Sequence, residues 1–337
     1  MGRAHLIREN NMKLATLENG SRDGQLIVVS SDNRSAVIVE SIATTMQEAI
    51  DNWKEVSVEL TEVYNKLNND EITDVFDLDT KMLNAPLPRC FQFLDGSAYL
   101  AHVERVRRAR GAEMPPSFLE DPLMYQATSD SFLAAHADVV VTSEDYGIDF
   151  ESEVAVITDD VPMGASVEEA AKHIKLICII NDVSLRNLIP AELGKGFGFV
   201  QSKPPTSLSP FFVTPDELGD AWVDTKVHLP LHSHLNGEWF GFPNAGIDMQ
   251  FNFAQLVAHA AKTRPLAAGA MIGSGTIANE DESLGSSCLA EKRVLEIIKD
   301  GKAVTPFMRF GDDIEIKMLA ENGDNIFGTI HNTIVKA

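Results

Sequence analysis

Residues 145–160, DYGIDFESEVAVITDD, decide how the chain is read. Phe150, Val154, Val156 and Ile157 make an apolar, β-branched run that closes in Asp159-Asp160, the composition of a strand. Glu151 and Glu153 stand two apart inside it. Side chains alternate across a strand, so both carboxylates are expected on one face. Two like charges beside a buried segment repel, and the pair needs a cation or a cluster of donors.

Working outward, a second acidic strand end lies in LICIINDVSLRN, residues 176–187. Its apolar run stops at Asn181-Asp182, and Arg186 follows four residues on. Glu151, Glu153 and Asp182 on neighbouring strand ends would form an all-oxygen site for a hard divalent ion, Mg²⁺ or Ca²⁺. The plainer alternative is two glutamates on an exposed strand face and a helix-capping aspartate. A fourth carboxylate comes from FQFLDGSAYLAHVERVRRARG, residues 91–111, where Asp95 follows an apolar strand. His102 lies seven residues later, in or near a short arginine-rich helix. A metal-ligating aspartate with a nearby histidine can orient and deprotonate one water.

The remaining chain bounds this reading. Its 337 residues, 44% hydrophobic, suffice for one large domain or a large and a small one. A net charge of −22 argues against nucleic acid and against an anionic membrane surface. Three cysteines, Cys90, Cys178 and Cys288, fit no metal-ligand spacing and point to buried thiols in a reduced, intracellular protein. No apolar run reaches membrane-spanning length. Residues 1–11 read as a loose extension.

Short strands alternate over 12–40, a helical period runs from Ile42 to Leu67, and residues 68–81 read as an acidic linker. Strand-like runs dominate afterwards, with Asn236-Gly237 predicting a hairpin turn. Helices are predicted over 166–174, with Ser166 and Glu169 in capping-box spacing, and over 251–263 before Arg264-Pro265. The expected fold is mainly β with some α: a small barrel-like N-terminal domain at 12–80 and a larger rolled β domain at 81–337. GKGFGF at 194–199 fits neither phosphate-binding fingerprint and reads as a flexible loop beside the site. His228, His232 and His234 flank the hairpin without a carboxylate or cysteine partner, a surface pattern more than a zinc site.

Taken together, the order and spacing resemble the fumarylacetoacetate hydrolase family over residues 12–337. In that family an Asp, a Glu-x-Glu pair and a later Asp hold a divalent metal, positions matched by Asp95, Glu151, Glu153 and Asp182. The resemblance implies Mg²⁺ or Ca²⁺, with Mn²⁺ a third candidate. It makes His102 the general base, oriented by Glu291 of GSSCLAEKR, and makes Arg186 of NDVSLR and Lys203 of QSKPPTSLSP the oxyanion-stabilising cations. Tyr125 of DPLMYQ, Arg110 of RARG and Thr276 of GSGTIAN match substrate-contacting positions. The implied reaction is hydrolysis of a carbon–carbon bond in a β-diketo acid, fumarylacetoacetate or an acylpyruvate-like relative, by a cytoplasmic homodimer in aromatic amino-acid catabolism. A hydratase or decarboxylase of the same family is the enzymatic alternative, and a Ca²⁺-stabilised binding protein the non-enzymatic one. Two departures bear on substrate: Ser97 stands where animal fumarylacetoacetases carry tyrosine, and Ile189 where they carry glutamine.

Overall fold

The computed structural model describes residues 10–109 and 116–337. Residues 1–9 of the expected extension and Arg110 lie outside the described residues. The strands that build the fold are β1 (Lys13–Leu17), β2 (Gln25–Val29), β3 (Ser35–Ile38), β4 (Phe76–Asp77), β5 (Phe93–Gly96) and β6 (Met124–Ala127). They continue with β7 (Val139–Val141), β8 (Ser152–Thr158), β9 (Ile174–Asn181), β10 (Ser207–Leu208) and β11 (Phe212–Val213). The last five are β12 (Leu231–Leu235), β13 (Glu238–Gly241), β14 (Met271–Gly273), β15 (Asp313–Leu319) and β16 (Asn325–Lys336). The helices are α1 (Met46–Asp51), α2 (Trp53–Asn68), α3 (Leu100–Ala109), α4 (Val167–His173), α5 (Ile189–Leu193), α6 (Phe253–Ala260) and α7 (Leu289–Asp300).

One 11-stranded sheet runs β4-β3-β2-β1-β11-β9-β8-β14-β5-β6, with β10 paired to β9, and a 5-stranded sheet runs β13-β12-β15-β16-β7. The N-terminal strands therefore continue the main sheet, through Lys13 opposite Val213. Strands β8 and β9 are buried on both faces, which is why each carries an unbroken apolar run, 154–157 and 176–180. Val154, Val156, Ile177 and Ile179 join one core with Ile314, Ile316 and Ile330 of the smaller sheet. The alternate residues Ala155, Ile157, Leu176, Cys178 and Ile180 join a second core with Leu14, Val28, Ala49 and Leu60 of the N-terminal segment.

The hairpin forms where Asn236 and Gly237 predict it, both at positive φ (52° and 74°). Ser166 caps α4 by accepting the Glu169 amide. The helical period over 42–67 yields two helices, not one: Asn52 breaks them, its side-chain amide donating to the Glu48 carbonyl. The expected linker contains β4, which pairs with β3. Strand signals gave no notice of α7, whose Cys288 cap is an unusual one and whose clearest mark is Gly301 in the left-handed region (φ 76°). All three cysteines are free and buried.

Candidate active site

Asp95, Glu153 and Asp182 converge from three places on the large sheet, each offering a carboxylate oxygen within 4.8 Å of the others. Register explains it. Ile180 lies opposite Glu153, so Asp182 leaves the end of β9 beside it. Gly273 of β14 lies between Ala155 and Asp95. A Cβ at Gly273 would stand 2.3 Å from Asp95 Oδ1, so only glycine lets Asp95 lean across β14.

The three carboxylates are unequally served. Asp182 accepts from Lys203 Nζ at 2.6 Å, Tyr125 Oη at 2.8 Å and Thr206 Oγ1 at 2.8 Å. Asp95 Oδ1 accepts the Gly275 amide at 3.2 Å. Glu153 is 0% exposed, and no donor among the described residues reaches either of its oxygens. Burial first, and then the Asp182 and Glu151 charges, push the Asp95 carboxyl up to about 7. The same two causes, burial and then neighbouring carboxylates, push Glu153 well above its ordinary range. A buried all-oxygen cluster with an unpartnered glutamate is the donor set of a hard divalent cation, and these three residues fit one.

Glu151 stands beside this trio with its oxygens occupied from within the chain. Oε1 accepts from Arg186 Nη2 at 2.6 Å and Thr276 Oγ1 at 2.8 Å. Oε2 accepts from Lys203 Nζ at 2.5 Å and Ser184 Oγ at 3.1 Å. It immediately precedes β8 and bridges to Cys288. Burial alone would lower the Lys203 ammonium, but the Asp182 and Glu151 carboxylates hold it above its ordinary value and cationic. Lys203 also lies 5.4 Å from the Tyr125 ring centroid. Arg186, expected as an oxyanion donor, also donates from Nε to Asp149 at 2.7 Å.

A family model described as Fumarylacetoacetate (FAA) hydrolase C-terminal matches residues 92–335, and one described as Fumarylacetoacetase N-terminal domain 2 matches residues 12–89. The chain belongs to the fumarylacetoacetate hydrolase family. Oxaloacetate tautomerase YisK of Bacillus subtilis (strain 168) is 25% identical over 342 residues, covering 96% of this chain and 100% of the relative. The 2,4-didehydro-3-deoxy-L-rhamnonate hydrolase of Sphingomonas sp. (strain SKA58) is 28% identical over 159 residues, covering 46% of this chain and 53% of the relative. The fold is shared with fumarylacetoacetate hydrolase from Exiguobacterium antarcticum (TM-score 0.62, 19% identity, 97% and 100% of the chains). It is shared equally with maleylpyruvate hydrolase from Sphingobium sp. SYK-6, solved with manganese(II) and pyruvate (TM-score 0.63, 15% identity, 97% and 100%).

The other site positions expected in this fumarylacetoacetate hydrolase family member lie on α3, α5, α7 and the segment after β5. His102 is carried on α3, its side chain outside the described residues. Glu291, 0% exposed on α7, accepts from Arg105 Nη1 at 2.6 Å, three residues past His102 on α3. Ile189 opens α5, and Ser97 follows β5, both half-buried. Phe199 of the glycine-rich loop meets the Tyr125 ring edge-on at 4.9 Å. Sequence reading passed over Asp149, Arg105, Thr206 and Ser184. Asp149 sits in the opening stretch, two before Glu151, and that alternation was the available signal. Ser184 is the hydroxyl position of the NDVSLR motif, whereas Arg105 and Thr206 carry no mark until the chain is folded. No helix among the described residues is long and apolar enough to cross a membrane.

Proposed function

We propose that the protein hydrolyses a carbon–carbon bond in a β-diketo acid of the fumarylacetoacetate type. The observation that carries this is the buried Asp95–Glu153–Asp182 cluster with Glu153 unpartnered, set between Tyr125 and Lys203. Matches to two models named for fumarylacetoacetase, one on each part of the chain, support it. The three carboxylates would hold Mg²⁺, Mn²⁺ or Ca²⁺, which when bound supplies Lewis-acid polarisation of the substrate's carbonyl oxygens.

The chain's own residues do the rest. His102 takes a proton from water, which adds to the carbonyl carbon of the acyl arm. The ammonium of Lys203 has three N–H donors; two go to Glu151 and Asp182, and the third serves the developing oxyanion. When the tetrahedral adduct collapses, the carbon–carbon bond breaks and its electron pair moves onto the neighbouring carbonyl oxygen as an enolate. Proton return to carbon then completes the products. A lone carbonyl offers no such sink, hence the β-diketone. Tyr125 stays a protonated donor, since burial first and then Asp182 raise its phenol well above the ordinary value. Arg186 acts by holding Glu151, and Thr276 by completing that shell.

Keto–enol tautomerisation of an oxaloacetate-like 2-oxo acid is the second reading, favoured by the tautomerase relative that aligns over its whole length. The test supplies fumarylacetoacetate, plain acylpyruvates and oxaloacetate with Mg²⁺ or Mn²⁺ and identifies products. Fumarate and acetoacetate released by the native protein, and lost by about 10²–10⁴ in His102→Ala with Mn²⁺ binding kept, are expected. Enol–keto exchange of oxaloacetate without any cleavage product would replace hydrolysis by the second reading. The homodimer and the cytoplasmic setting belong to the same proposal, and equilibrium sedimentation checks the first.

A further inference from the structure

Asp149 is fully buried and touches two separate parts of the site. Its Oδ1 accepts the Leu289 amide at 2.7 Å, and its Oδ2 the Ala290 amide at 2.9 Å. Those are the first two amides of α7, so a carboxylate from a distant segment occupies the helix's positive end. The same Oδ2 accepts from Arg186 Nε at 2.7 Å, while Arg186 Nη2 reaches Glu151 at 2.6 Å. One guanidinium therefore divides its charge between two buried carboxylates. One residue beyond Ala290, Glu291 holds Arg105 of α3, and Arg105 Nη2 also donates to the Asn279 carbonyl at 2.7 Å. Helix α3, which carries His102, is in this way tied through α7 and Arg186 to Glu151, and through Lys203 to Asp182.

We infer that Asp149 is a positioning residue that sets the place and effective charge of Glu151, and through it the cation affinity of the neighbouring Asp95–Glu153–Asp182 cluster. This rests on the metal reading of that cluster. With Asp149 neutralised, the whole Arg186 charge falls on Glu151 and the site becomes more positive. Partners of this kind around a metal's ligands are typically worth about 10–100-fold in affinity.

A helix-capping role alone predicts something else. Asparagine also caps helix N-termini, so Asp149→Asn would then restore everything. The experiment is calorimetric titration of the full chain with Mn²⁺ alone, beside its thermal transition. Asp149→Asn, which leaves Arg186 with part of its counter-charge gone, is expected to melt below the native protein yet stay folded at the titration temperature, and to bind Mn²⁺ about 10–100-fold more weakly. A folded Asp149→Asn with native Mn²⁺ affinity overturns the inference. If that variant does not fold, Arg186→Lys takes its place: a lysine keeps the charge but cannot bridge Asp149 and Glu151 through two nitrogens. Weaker Mn²⁺ binding then supports the inference, and unchanged binding overturns it. A native protein that takes up no Mn²⁺, Mg²⁺ or Ca²⁺ sinks the metal reading itself and this inference with it, an outcome distinct from the others.

Discussion

Glu151 and Glu153 are two residues apart, both buried, and live in opposite surroundings. Around Glu151 the chain supplies two cations and two hydroxyls. Around Glu153 the described residues supply no donor, only the carboxylates of Asp95 and Asp182. A buried carboxylate is costly unless paired and hydrogen-bonded. For Glu151 the fold itself meets that requirement; for Glu153 it does not, and under the proposed function a cation from solution would meet it. Glu192 shows a third solution, with amides of Val200, Gln201 and Ser202 and the Ser202 hydroxyl converging on one carboxylate just before Lys203.

The largest expected difference follows from exchanging charges at the two glutamates. Glu151→Gln leaves Arg186 and Lys203 buried with part of their counter-charge gone, and is expected to cost about 3–5 kcal/mol in denaturant unfolding. Glu153→Gln, measured in chelator, is expected to leave stability equal or higher, because an amide avoids the penalty of a buried charge. Equal losses at the two positions would erase the contrast.

Next comes the response to cations. Mn²⁺ at a hundred times its dissociation constant should stabilise the native protein by about 2.7 kcal/mol, read as a rise in melting temperature. That rise should vanish in Glu153→Gln. A rise that persists there would place the ion elsewhere.

Glu192 separates pairing by cations from pairing by dipoles. Burial would raise its carboxyl, but the hydrogen bonds from residues 200–202 win and draw it from 4.5 down to about 2. A depressed folded value means that its stabilisation is complete above 4.5 and is lost as pH falls through about 2. Glu192→Gln should remove that acid limb and cost about 1–3 kcal/mol at neutral pH, since the three amides lose their ionised acceptor. An unchanged acid limb in the variant would assign it to another group.

The smallest effect concerns Ile189, the apolar residue that opens α5 ahead of Glu192. The native protein should tolerate acylpyruvates with plain alkyl arms, and Ile189→Gln should shift the kcat/KM ratio toward fumarylacetoacetate by about tenfold, the size of one neutral hydrogen bond. A native preference for fumarylacetoacetate that Ile189→Gln leaves unchanged would make the position peripheral.

Much was legible in the residues alone. Apolar runs at 154–157 and 176–180 marked the two central strands, because a strand buried on both faces carries no alternation to obscure it. Asn236-Gly237 marked the hairpin, because few residue pairs adopt two positive φ angles in succession. The order of Asp95, Glu151, Glu153 and Asp182 marked a carboxylate cluster. Sequence could not divide those four into a trio and a paired neighbour. The division depends on Arg186, Lys203, Ser184 and Thr276, 33 to 125 residues from Glu151 in the chain, and on Gly273 letting Asp95 lean over β14. Local propensity and periodicity report what a residue can be. Which donors reach a buried carboxylate is settled by strand register and loop closure, and only tertiary structure brings those together.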